Sequence, residues 1–166
     1  MVPVPSSRTL VLGLGAPTQG NDSIGARLVR PLSAAFPGVE IRPATEFVSF
    51  AEVLHDYDLV VVLNSISFCS KVGHVSRGSP YSLANEWGSH PAQAEVFEQA
   101  LAQARLMGHR IPQVEVVNVC VGSDEWPEPG LSPSIASMYR VILGRVRSLV
   151  RQIIRETSGI APARRG

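Results

Sequence analysis

Apolar and polar positions change period several times along the chain, and the changes divide it into short strands and longer helices. Thr9 to Gly15, "TLVLGLG", is an apolar run ending in glycine, as a buried strand would. From Ser23 to Phe36 the period becomes helical: Ile24, Leu28, Leu32 and Phe36 recur every fourth residue, with Val29 beside them. Pro37-Gly38 stops that run. "VEIRP", Val39 to Pro43, alternates as a half-buried strand, and Phe50 to His55 predicts a short helix. Asp58 to Ser65, "DLVVVLNS", is the most apolar strand, and a strand apolar on both faces belongs at the centre of a parallel sheet. "GHVSR", Gly73 to Arg77, predicts a further strand at an edge. Ala92 to Met107 predicts a helix with Phe97, Ala100, Leu101 and Ala104 on one face and Gly108 closing it. Val114 to Gly122 predicts another strand. A long helix follows from Pro133 to about Ile154, with proline in its first turn and a stripe of Ile135, Met138, Ile142, Val146, Leu149 and Ile153.

Alternating strands and helices predict a three-layer α/β/α sandwich with a mostly parallel central sheet. With 166 residues, no internal repeat and no boundary in composition, one domain over 1–166 is expected, its core spanning about 9–154. Ligands of such sheets bind at the carboxyl ends of the strands. That edge would carry the loops Gly15 to Ser23, Asn64 to Lys71 and Gly122 to Ser132, with the loop around His90 folding over it.

Composition narrows the classes. Apolar residues make up 45% and charged residues 17%, as in a globular protein. A net charge of +1 gives no broad attraction to nucleic acid or to an anionic membrane, so neither is expected as a partner. No apolar run reaches the roughly 18 residues that span a bilayer, and "MVPVPSSR" lacks the pattern of a signal peptide. Two cysteines, Cys69 and Cys120, make neither a disulfide framework nor a zinc cluster, which implies a reducing, cytoplasmic setting.

Several residues could carry chemistry. Gly13 and Gly15 suggest a dinucleotide loop, but Thr18 stands where its third glycine should be, and no Lys-Ser/Thr pair follows as in a phosphate loop. A tight turn at a strand end explains both glycines. Asp22 lies among Asn21, Asp22 and Ser23 at a helix start, where each could be the N-cap. Only one can cap, so Asp22 is also open as a metal ligand. Asn64 ends the central strand, either as a turn residue or as a site residue, and its neutral oxygen is a poorer ligand than a carboxylate. Of His55, His74, His90 and His109, His90 in "EWGSHPAQ" is the best ligand or base, because His55 and His109 sit at helix ends. No G-x-S-x-G elbow and no C-x-x-C spacing supports a serine or thiol nucleophile.

Five features together resemble a known family: a first strand ending "LGLG", a short loop, an acid before "IGARLV", a central strand ending in a polar residue, and "GLSPSI" before a C-terminal helix. The sequence looks like the hydrogenase maturation proteases, the endopeptidases that process the large subunit of nickel–iron hydrogenases. The likeness runs from about Thr9 to Val150. It implies a three-layer α/β hydrolase that removes a C-terminal extension from a precursor large subunit after nickel insertion. It also implies that the nickel is carried by the substrate and contacted by an acid of the first loop, an aspartate at the end of the central strand and a histidine ahead of a later helix. These fall on Asp22, on Asn64, where the acid is lost, and near His90. The family's "SPHQ" reads "GSHP" here, and an ungapped match puts Gln93 at the histidine position. The usual Asn after the second glycine is Ala16, the usual pair of acids is Asn21-Asp22, and a glycine-rich stretch is replaced by "ATEFVSF".

The resemblance implies a cytoplasmic, monomeric endopeptidase in which Asp22 is the catalytic acid and Asp22, Asn64 and His90 face the metal. An alternative is a catalytically impaired relative that binds the substrate as an assembly factor, as Asn64 suggests. A nucleotide-binding protein is a third reading, opposed by the missing glycine.

Overall fold

The computed structural model describes residues 8–15, 20–44, 54–67, 69–78, 91–123, 126 and 128–160. Five strands form one sheet: β1 (Thr9–Gly13), β2 (Glu40–Pro43), β3 (Leu59–Ile66), β4 (Val75–Gly78) and β5 (Gln113–Cys120). Among the described residues, three α-helices accompany them: α1 (Ile24–Ala35), α2 (Pro91–Leu106) and α3 (Pro133–Ile160). The strand order is β2-β1-β3-β5-β4, and all pairings are parallel except β4 with β5. The strongly apolar β3 is therefore central, and "GHVSR" contributes the antiparallel edge strand.

Alternation along the strands sorts the core into two layers. Val11, Val61, Leu63, Val117 and Val119 face α1 and α3, meeting Ile24, Leu28, Leu32, Ile135, Ile142, Val146, Val150 and Ile153. Leu10, Leu12, Val60, Val62, Val114 and Val116 face α2, meeting Phe97 and Ala100. The sandwich expected from the alternating pattern is thus present.

Boundaries differ from the sequence reading in places. β1 stops at Gly13 rather than Gly15, and β5 stops at Cys120 rather than Gly122, because positive φ values at Gly15 and Gly122 turn the chain out of the sheet. Of the short helix expected over Phe50 to His55, a 3-10 turn at Leu54–Asp56 is seen and residues 50–53 lie outside the described part. α3 runs on to Ile160, and Val150 joins its buried stripe where Leu149 is only half-buried.

Inside α1, Pro31 has no N–H to give the Arg27 carbonyl. The Tyr139 hydroxyl of α3 donates to that carbonyl at 2.8 Å, so a tertiary bond replaces the missing helical one. Edge strand β4 is tied down through Arg77, which bonds Glu115 of β5 at 2.9 and 2.8 Å and Glu156 of α3 at 2.7 Å. Arg77 holds the Glu115 carboxyl below its ordinary range.

Cys69 and Cys120, too few for a disulfide framework and read as a sign of a reducing setting, form a disulfide with each other, with Cα atoms 6.0 Å apart. Sheet pairing explains it: Cys120 lies opposite Ile66 in the β3–β5 register, and the chain leaving β3 brings Cys69 back over that position. Linear spacing of 51 residues carries no sign of this neighbourhood. Among the described residues, no helix is long and apolar enough to cross a membrane.

Candidate functional site at the carboxyl edge of the sheet

Chain turns after β1, β3 and β5 meet at one edge. The first is drawn in by glycine. Gly15 has φ +107, and a Cβ there would fall on the Asp22 carbonyl. At Gly25 a Cβ would lie 2.6 Å from the Leu63 carbonyl oxygen and 2.7 Å from that of Leu14, so only glycine lets α1 start this close to β1 and β3. That approach sets where Asp22 can reach.

Asp22 belongs to a 3-10 turn, Gly20–Ser23, just ahead of α1. The three capping residues divide the work. Ser23 is the N-cap position, yet its hydroxyl donates to the Gly20 carbonyl at 2.5 Å and accepts from Arg27 Nε at 2.7 Å. Asn21 Oδ1 accepts from the Ser132 N–H at 2.8 Å, which joins the first turn to the "GLSP" turn. In that turn Gly130 has φ +96, Ser132 Oγ accepts from the Ile135 N–H at 3.5 Å, and Pro133 opens α3. Asp22 is left to receive the Ser65 hydroxyl, which donates to its Oδ1 at 3.1 Å.

Asn64, one residue earlier on β3, points to the opposite face of the sheet from Ser65. It is completely buried, and its Nδ2 donates to Asn118 Oδ1 at 3.1 Å, the two residues being register partners on β3 and β5. Its own Oδ1 is buried and has no hydrogen-bond partner among the described residues. A lone acceptor of this kind carries a desolvation cost that a cation or donor could relieve.

The structure thus places Asp22 and Asn64 at the same sheet edge, one on each side of the β3 exit. It joins Asp22 to Ser65 rather than to Asn64. His90 lies outside the described residues, and Gln93 falls in the first turn of α2. His55 and His109 stack, centroids 4.8 Å apart, just ahead of β3 and β5 and so at the opposite edge. His74 is exposed at the start of β4. Among the described residues, no three His, Cys, Asp or Glu side chains cluster to hold a metal. Among the described residues, the side chains that meet at this edge include one carboxylate, Asp22, beside hydroxyls and amides, a set poor in the charged oxygens that a divalent ion recruits.

Two of these residues escape sequence reasoning. Ser65 follows Asn64 and reads as part of the same turn. Asn118 interrupts the valines of "VEVVNVCV" as Asn64 interrupts "LVVVLNS"; a polar residue in each of two buried neighbouring strands was the available signal.

No protein-family model matches the chain, and no curated protein matches it. Solved structures do. The chain is similar to the hydrogenase maturating endopeptidase HybD from E. coli at a TM-score of 0.61 and 22% identity, covering 87% of this chain and 93% of that one. It is similar to the [NiFe] hydrogenase maturation protease HybD from Thermococcus kodakarensis at 0.63 and 19%, covering 86% and 98%. A third is the hydrogenase 2 maturation peptidase from Thaumarchaeota archaeon SCGC_AB-539-E09, at 0.59 and 24%, covering 86% and 97%. The chain therefore has the fold of the hydrogenase maturation endopeptidases over nearly its whole length.

Proposed function

We propose that the chain is an endopeptidase of hydrogenase maturation, removing the C-terminal extension of a nickel–iron hydrogenase large-subunit precursor. The observation that carries this reading is the Asp22 carboxylate, held at the carboxyl edge by Ser65 on a scaffold shared with named maturation endopeptidases. Nickel belongs to the substrate. Asp22 takes the proton of the attacking water and returns it to the leaving amine as the peptide bond breaks. Ser65 fixes the orientation of that carboxylate, and the Asn64 oxygen and His90 imidazole are further donors toward the substrate's metal. For this role the expected place is the cytoplasm and the expected state a monomer, a reading carried by the resemblance, since the Cys69–Cys120 disulfide removes the cysteine argument for a reducing compartment.

A second reading is a substrate-binding assembly factor without cleavage, and it is favoured by the burial and neutrality of Asn64. Mass spectrometry of a nickel-loaded precursor incubated with the protein separates the two. Cleavage predicts loss of a C-terminal peptide, abolished by Asp22→Asn. A stable complex with an intact precursor overturns the endopeptidase reading in favour of the second.

A further inference from the structure

The proposed chemistry makes no use of the Cys69–Cys120 disulfide, although it borders the same edge. Cys120 is the last residue of β5, completely buried, and it follows Asn118 by two positions, on the same face of the sheet. Its register partner is Ile66, as the partner of Asn118 is Asn64. The bond therefore lies one pleat beyond the Asn64–Asn118 pair. Cys69 is only partly buried. Cys120 is also bracketed by backbone bonds that do not depend on the disulfide: its N–H donates to the His74 carbonyl and its carbonyl accepts from the Gly73 N–H.

From this asymmetry we infer that Cys69 and Cys120 form a thiol–disulfide exchange site for a small-molecule thiol and its disulfide. Cys69 is the sulfur attacked, and Cys120 is the resolving partner. In reduction, an external thiolate attacks Cys69 Sγ and the Cys69–Cys120 bond breaks. Cys120 departs as a thiolate and takes a proton. A second external thiolate then attacks the external sulfur of the mixed disulfide, and Cys69 departs and is protonated. The protein gains two electrons and two protons, and two external thiols become one external disulfide. Oxidation runs the same steps in reverse. Attack on Cys120 is closed by its burial.

Both states suit the fold. The Ile66 and Ser67 carbonyl oxygens stand 3.6 and 3.7 Å from Cys69 Sγ and accept from its S–H in the reduced form. The β3–β5 and β4–β5 ladders stay intact without the bond. What reduction releases is the turn 69–72 beside the β3 exit, where Ser65 and Asn64 stand.

The test uses the protein alone, without precursor or nickel, so its failure is independent of the proposed peptidase activity. The native chain is equilibrated in glutathione buffers of graded reduced-to-oxidised ratio, quenched in acid, alkylated with N-ethylmaleimide in denaturant so that the buried Cys120 is labelled as well, and weighed. Expected is one transition from no added label to two. In the Cys120→Ser variant, oxidised glutathione should add to Cys69; in Cys69→Ser, Cys120 should stay free of glutathione. Amide hydrogen exchange of wild type should speed up by about tenfold in 69–72 on reduction, with β5 unchanged. A pair that stays unlabelled at every ratio, glutathione found on Cys120, or exchange in 69–72 indifferent to reduction would overturn the inference.

Discussion

Ser65 Oγ donates to Asp22 Oδ1 at 3.1 Å, linking the exit of the central strand to the turn that opens α1. A hydroxyl bonded to a carboxylate fixes the direction in which its oxygens point. Replacing Asp22 by Asn removes the proton acceptor and should cut turnover by at least about 100-fold. Ser65→Ala removes the orienting bond, leaves the carboxylate in place and should lower turnover about tenfold, the equivalent of about 1.4 kcal/mol. The thermal midpoint should move little in Asp22→Asn, since Asp22 is partly exposed, and should fall modestly in Ser65→Ala, since Ser65 is buried. Rates of precursor shortening by mass spectrometry, set beside calorimetric melts, check both.

Asn64 offers a sharper test of the metal-facing role. Its Nδ2 faces Asn118 Oδ1, so an aspartate at 64 would set two acceptors against each other until the Asn118 amide turned to donate. A buried carboxylate with one donor is costly, and Asn64→Asp should lose about 2 kcal/mol of stability without metal. Added nickel should return much of it by binding the folded form. The wild type, with a neutral oxygen there, should show a smaller nickel-induced rise in melting temperature. Equal shifts in the two proteins would remove residue 64 from the metal's surroundings.

How far the sequence discloses this arrangement depends on the range of each interaction. Helical stripes such as Ile24-Leu28-Leu32 and the apolar β3 are local patterns, so the layers and the central strand follow from them. The carboxyl edge follows from the parallel order. The partners at that edge do not, because they are set by sheet register and by where the turns beside the strands carry the chain. Asn64 meets Asn118, Cys69 meets Cys120 and Ser65 meets Asp22 across 54, 51 and 43 positions. Asp22 was ambiguous between cap and site for a local reason: three capping residues in a row are told apart only by where each side chain goes.

Close packing at the start of α1 should make Gly25 intolerant of any side chain. A methyl group there meets the carbonyls of Leu63 and Leu14, both backbone atoms that cannot turn aside. Gly25→Ala should destabilise the protein by about 3 kcal/mol and push the 3-10 turn away from β3. Loss of the Ser65–Asp22 bond would follow, so activity should fall in the protein that remains folded. Gly144→Ala, in the middle of α3 with open space around its Cβ, is the control and should stabilise slightly. Urea unfolding of the two variants distinguishes a clash from a general loss of glycine.

Tyr57 and Glu40 should give the protein a defined response at both ends of the pH scale. The Tyr57 hydroxyl donates to Glu40, and the phenol is buried. Burial first, and then the bond to Glu40, push Tyr57 up to about 12. A pKa raised in the folded state favours folding while the phenol keeps its proton. That stability is complete below the unfolded value of about 10 and is lost as pH rises from there through about 12. The full loss should be about 3 kcal/mol. Glu40 responds with the opposite sign, because the Tyr57 hydroxyl holds its carboxyl below the ordinary range. Its contribution is present above the unfolded value near 4.5 and fades as pH falls through the lowered one. Tyr57→Phe removes the donor and the titrating phenol together. Relative to wild type, its unfolding free energy should decline less steeply above pH 10 and less steeply below pH 4.5. Urea denaturation of both proteins across the pH range, with tyrosinate absorbance followed in parallel, measures the two limbs separately.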